Sequence, residues 1–153
     1  MVNPTPPGGV FDGAQHLYAV RVYYEDTDLS GITYHANYLR WFERARSDLL
    51  RMLKIDQRKA IEAGEGAYAM TELAIKYLVP AKLDDDIVIT TTCHELRAAS
   101  VRMTQIASRA GDLTQVFARA EVRAAFLTPD GRPRRQPAPW REAFQTFMDQ
   151  EAA

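Results

Sequence analysis

Cysteine is almost missing from this sequence: Cys93 stands alone among 153 residues, so no intrachain disulfide is available and no oxidising compartment is required. No stretch approaches the roughly 20 consecutive apolar residues of a spanning helix, and no membrane span is expected. The first residues, MVNPTPPGGVFDGAQH, lack the basic start and apolar run of a secretory signal. An unexported, cytoplasmic protein is expected. Excess charge is also lacking: a formal net charge of −1 gives no overall pull toward nucleic acid, so any anion-binding site has to be local. The three histidines, His16, His35 and His94, are scattered, and neither a metal site nor a cofactor is expected. The absence of a G-x-S-x-G elbow and of a Gly-rich phosphate loop argues against serine-hydrolase and nucleotide-hydrolase chemistry.

What is present is globular usage, 46% hydrophobic and 25% charged, which implies a packed core at a length typical of one domain. Residues 1–15, rich in Pro and Gly, read as a disordered lead-in to a domain spanning 16–150. A strand is expected over 17–24. From His35 to Leu53, the residues Tyr38, Trp41, Phe42, Ala45, Leu49 and Met52 recur at spacings of three and four, which predicts a long helix with one apolar stripe. Its opposite side, with Arg40, Glu43, Arg44, Ser47, Asp48 and Arg51, is expected to face solvent or a partner. A short helix over 56–63 follows, stopped by Gly64. Four strands are then predicted, over 68–78, 86–96, 100–109 and 113–127, bounded by VPAKLDDD, RAAS, AGD and TPDGRP. A last helix covers 140–148. This order predicts an α+β domain in which an antiparallel five-stranded sheet wraps one central helix, with sheet edges that need covering or pairing.

The informative segment runs from Tyr24 to Tyr38, between the first strand and the long helix. RVYYEDTD, the following Gly31, YHANY and FERAR, together with KYLVPAKLDD further on, resemble the 4-hydroxybenzoyl-CoA thioesterase family of hotdog proteins, and within it the Tol-Pal-associated acyl-CoA thioesterases. The resemblance implies the hotdog fold and hydrolysis of an acyl-CoA to free acid and coenzyme A. It also implies that Asp28 is the active-site aspartate and that the backbone N–H of His35, at the start of the long helix, is the oxyanion donor.

The residues support these roles on separate grounds. A thioester is weakly stabilised by resonance and has a good leaving group, so one carboxylate can suffice. Asp28 could attack directly to give a mixed anhydride, or take a proton from water. A helix start offers unpaired N–H groups and a positive dipole end to the oxyanion. Gly31, without a side chain, would let the loop approach the ligand closely. Asp28 is equally able to serve as a turn or capping residue. Asp26 and Glu25 suit capping or ion pairing, and His35 could act through its side chain as a base. Glu43 could be a second acid or base, or pair with Arg40 or Arg46.

Tyr34 and Tyr38 are candidates to line the acyl pocket. In the run Arg132, Arg134, Arg135, the guanidinium of Arg134 suits the phosphates of coenzyme A, and a solvated turn is the competing reading. Cys93 is expected in the core, pointing away from its neighbour His94. The resemblance further implies a homodimer with two interface sites, a dimer of dimers (a homotetramer), a possible acyl carrier protein partner and a Tol-Pal association. Two rivals stand beside this reading: a hotdog hydratase or dehydratase, and a non-catalytic acyl-carrier or envelope-assembly binding module.

Overall fold

Burial of one helical stripe organises the chain. The computed structural model describes residues 1–151, and within them α1 (Asn37–Met52) lays Tyr38, Trp41, Phe42, Ala45, Leu49 and Leu50 into the core. Each large side chain buried this way contributes roughly 1.5–3 kcal/mol. The surface that receives them is one antiparallel sheet: β1 (Val10–Asp12), β2 (Gln15–Arg21), β3 (Ala67–Tyr77), β4 (Asp86–Leu96), β5 (Ser100–Arg109) and β6 (Asp112–Leu127). The spatial order is β1-β2-β4-β5-β6-β3. Two shorter helices, α2 (Gln57–Glu62) and α3 (Ala138–Met148), complete the described residues. One core cluster joins Tyr38, Trp41 and Phe42 to Ile87, Ile89 and Phe117; a second joins Leu50 to Val101, Met103 and Phe144.

The architecture is the expected α+β hotdog arrangement, with a sixth strand added to the five read from sequence. That strand, β1, comes from the segment read as a lead-in. Gly13, at φ 58°, opens the two-residue turn that pairs Asp12 with Gln15. Asp48 then fastens the hairpin to α1, its Oδ2 accepting from Gly9 N–H at 2.9 Å and lying 2.6 Å from His16 Nε2. Asp48, expected on the open side of the helix, is therefore covered. β2 stops at Arg21, before the expected Tyr24, because Tyr24–Asp26 form a 3-10 turn. α1 starts at Asn37 with Ala36 as its N-cap, two residues later than expected, since the Asn37 N–H is still engaged in a turn with Tyr34 O at 2.9 Å.

β3 closes one end of the sheet. It pairs with β6 from Ala67↔Leu127 to Tyr77↔Ala118, with a bulge between Met70 and Glu72, and no described strand pairs with its other side. Cys93 packs against the second core cluster, where burial pushes its thiol up to about 12, while His94 reaches Glu121. No helix among the described residues is long and apolar enough to cross a membrane.

The hairpin latch is sensitive to protons. His16 is 0% exposed, and its Nδ1 has no partner among the described residues. The neutral ring donates from Nε2 to Asp48 and leaves Nδ1 as a bare lone pair; protonation would add a buried donor with no acceptor. Burial holds the imidazole below its ordinary 6.5, outweighing the raising effect of Asp48. The unfolded chain thus takes up this proton at a higher pH than the folded one. The latch contributes fully above about pH 6.5 and is lost as the pH falls below it. Calorimetry is expected to show Tm dropping from about pH 7.5 to about pH 5.5, with a smaller drop in His16→Gln; equal drops in both proteins would remove His16 as the cause.

Candidate active site

The loop between β2 and α1 is built around a buried carboxylate, but not the one singled out for chemistry. Asp26 is 8% exposed; its Oδ2 accepts the Tyr23 N–H at 2.8 Å and its Oδ1 accepts from Asn37 Nδ2 at 2.6 Å. Its carbonyl takes the Tyr34 N–H at 2.8 Å. Asp26 thus ties the loop's entry to its exit and to the first residue of α1, the structural role expected of it.

Between those ties the chain makes a small hairpin. Thr27 bridges Thr33, the Asp28 N–H donates to Ile32 O at 2.9 Å, and the Gly31 N–H donates to Asp28 O at 3.2 Å. Ile32 bridges Lys82 and the Thr33 N–H reaches Ala81 O, which fixes the hairpin against the loop after β3. Gly31 has φ 82°, a conformation costly to other L-residues, yet an added Cβ would meet nothing within 4 Å. Backbone shape, rather than room for a close approach within the chain, is what requires glycine here.

Asp28 stands exposed on this hairpin. Its Oδ1 accepts from Ser30 N at 2.8 Å and from Ser30 Oγ at 2.5 Å; among the described residues no hydrogen bond reaches Oδ2. The Ser30 hydroxyl and amide together hold the carboxyl below its ordinary value of 3.8. His35 follows the hairpin, immediately before the N-cap of α1. Its carbonyl accepts from Tyr77 Oη at 2.8 Å, while its own N–H donates to none of the described residues. The peptide that carries this N–H is the one between Tyr34 and His35, and its carbonyl, Tyr34 O, accepts the Asn37 N–H at 2.9 Å, so it is held on one side and open on the other. The Tyr34 and His35 ring centroids are 4.5 Å apart, and His35 meets Tyr77 edge-on at 6.1 Å. Tyr34 is exposed. Tyr38 lies behind this group, 3% exposed, edge-on to Tyr77 and Trp41, with its hydroxyl accepting the Ala81 N–H. Within one chain it packs the site rather than surfacing in it.

Asp28, Gly31, Tyr34 and His35 thus share one loop. Arg134 does not join them. Its N–H donates to Phe126 O and its Nη1 to Glu65 O at 2.6 Å, beside the Ala67 end of β3, whereas Tyr77 and His35 lie at the opposite end. Ten strand rises separate the two ends, on the order of 30 Å. Arg132 turns to Asp130. Glu43 accepts from Ser47 Oγ at 2.7 Å in place of the expected arginine pairing. No cluster of three or more metal-type ligands occurs among the described residues.

Two contributors were not read from sequence. Ser30 was legible in principle, because a Ser two residues after an Asp in a turn is a standard side-chain anchor. Tyr77 was not, since it contacts His35 from 42 positions away.

The model of one protein family, the thioesterase-like superfamily, matches residues 22–148. The chain belongs to that superfamily. It is 42% identical over 110 residues to acyl-CoA thioesterase YbgC of Haemophilus influenzae, a match covering 72% of this chain and 79% of that one. The structure of a probable thioesterase from Bartonella henselae superposes with a TM-score of 0.74 at 32% identity, over 80% of this chain and 99% of the other. The structure of a 1,4-dihydroxy-2-naphthoyl-CoA thioesterase from Synechocystis reaches a TM-score of 0.80 at 23% identity, covering 86% and 96%, and supports the fold. The resemblance to the 4-hydroxybenzoyl-CoA thioesterase family and the hotdog fold stands.

Asp26 and Asp28 are expected to separate structure from chemistry. Asp26→Ala strands the Tyr23 N–H and the Asn37 amide and should cost about 1–3 kcal/mol in denaturant unfolding. Asp28→Asn should leave the midpoint unchanged. Equal losses in the two variants would show that Asp28 also holds the loop together.

Proposed function

We propose that this protein is an acyl-CoA thioesterase that releases free acid and coenzyme A, with Asp28 as its reacting carboxylate and the His35 amide as oxyanion donor. The observation that carries the proposal is the shared loop: an exposed, ionised carboxylate with one unengaged oxygen and, a few residues on, an unengaged N–H before a helix. The names of its relatives agree with that chemistry.

Asp28 Oδ2 attacks the thioester carbon while Ser30 holds Oδ1. The C–S bond then breaks, coenzyme A leaves as thiolate, and water hydrolyses the mixed anhydride to regenerate the carboxylate. In the competing route Asp28 removes a proton from the attacking water. The Ser30 bonds lower the basicity of the carboxylate, which keeps it ionised for either route. Either route passes through a tetrahedral oxyanion. Accepting it on a fixed amide is worth about 2.7–4 kcal/mol where such donors have been removed, and the Asn37 N–H bond to Tyr34 O, the carbonyl of the same peptide, keeps that amide aimed.

A second copy of the chain completes the site in this reading. β3 offers an unpaired edge with exposed Met70 and Tyr77. Antiparallel pairing of two β3 edges would bring the Arg134 end of one copy beside the Asp28 loop of the other, where a guanidinium can meet the coenzyme A phosphates. The finer parts of the reading are a dimer of dimers and a Tol-Pal association, which follow the family resemblance, with a cytoplasmic location and an acyl carrier protein as a further acyl donor; residues 1–15, read from composition as a lead-in to a 16–150 domain, carry β1 and so belong in part to the fold.

Thiol release from a panel of acyl-CoA esters tests the proposal. Asp28→Asn is expected to lower kcat by about a hundredfold or more. The acid limb of the wild-type profile should lie below the usual carboxylate range of about 4, because the lowered pKa keeps Asp28 ionised there. A variant as fast as wild type, or water addition to an enoyl-CoA without thiol release, would overturn the reading.

A further inference from the structure

The helix that follows the catalytic loop also walls a cavity. Near the loop, Tyr77 grips His35, and Ile75 and Leu73 pack toward the core. On the other side of the β3 bulge a cavity of about 260 Å³ lies under the second half of α1, walled by Ser47, Leu50, Tyr68, Met70 and Met103, with Arg46 and Glu43 at its polar side; no residue of the Asp28 loop lines it. Along the helix, Arg46 lies eleven residues from His35, a span of about 16 Å.

Arg46 sets the character of this cavity. Its Nη1 donates to Gln105 Oε1 at 2.9 Å. Gln105 is 0% exposed and fixed from behind, its Nε2 donating to Phe42 O at 2.9 Å and Thr91 Oγ1 at 3.1 Å. The remaining guanidinium donors have no partner, and no carboxylate lies within 4.0 Å, among the described residues. Glu43, one turn earlier, is exposed and takes the Ser47 hydroxyl instead. A guanidinium cannot shed its charge, and this one is half-buried with Glu43 acting on it only from a distance, without a direct bond. A fork pinned at one nitrogen presents its other donors in the geometry that a carboxylate accepts.

We infer that the cavity takes the far end of the acyl group and that Arg46 pairs with a carboxylate there, so that the preferred substrates are coenzyme A monothioesters of dicarboxylic acids. This specificity rests on the thioesterase reading of the Asp28 loop, but the anion pocket is independent of it. The apolar walls accept the methylene chain, and Gln105 sets the direction of the guanidinium.

Titration calorimetry with adipate and hexanoate tests the pocket without catalysis. Wild type is expected to bind adipate about tenfold more tightly than hexanoate or better, and Arg46→Met to bind the two alike. Arg46→Lys, which keeps the charge and loses the fork, should fall between them; it also serves if the methionine variant fails to fold. Adipate binding no tighter than hexanoate in wild type overturns the inference whatever the variants do. Thiol release from adipyl-CoA and hexanoyl-CoA separates the two claims. Release from both without discrimination leaves the thioesterase standing and removes the Arg46 role; release from neither, with adipate still selected through Arg46, does the reverse.

Discussion

The buried carboxylate of Asp26 is the constraint on which the site depends. It stays out of water because two N–H donors, from Tyr23 and Asn37, satisfy its oxygens, and its own carbonyl satisfies Tyr34. These three bonds fix where the chain leaves β2, where it returns, and where α1 starts. The hairpin carrying Asp28 can then be exposed without being loose. The His35 amide can be left unpaired because the Asn37 N–H restrains Tyr34 O, the carbonyl of the same peptide. Polar groups are engaged in positioning at Asp26 and left open at Asp28 and His35, where the proposed chemistry lies.

Around that loop, in the proposed reading, the fold supplies one half of a larger arrangement. α1 runs away from the proposed oxyanion site along β3, the sheet's open edge, while the basic turn with Arg134 sits at that strand's far end. An antiparallel pairing of two such edges is the simplest way to bring both ends of the strand to one ligand. The α1 and β3 surfaces that would enclose an acyl group pass through apolar positions to Arg46. The proposed chemistry and the proposed selectivity would rest on the same helix, whose Trp41 and Phe42 stripe is buried.

The parts of this structure legible in the sequence are those with a local cause. The α1 stripe, the long strands and the turn-rich loop after β2 are written in spacing and turn chemistry, and the motif from Tyr24 to Tyr38 pointed to the candidate loop. What escaped has partners far along the chain. β1 is three residues in a Pro- and Gly-rich stretch and holds because Asp48, some forty positions away, captures Gly9 and His16. Asp48 itself reads as a solvent-facing helix residue until that hairpin covers it. Arg46 likewise looks like a surface arginine; its half-buried setting follows from Gln105 on β5. Arg134 was found as a residue type, but its distance from Asp28 within one chain could not be read without the register of β3 and β6.

The account's central claim concerns where a thioester lies between Asp28 and His35. A crystal structure with a non-hydrolysable 2-oxoalkyl thioether of coenzyme A, which keeps a carbonyl beside the thioether methylene, measures this directly. The account predicts the acyl carbonyl oxygen within about 3.1 Å of the His35 nitrogen and Asp28 Oδ2 facing the carbonyl carbon. An analogue bound with its carbonyl away from both groups, in every copy of the assembly, would contradict it.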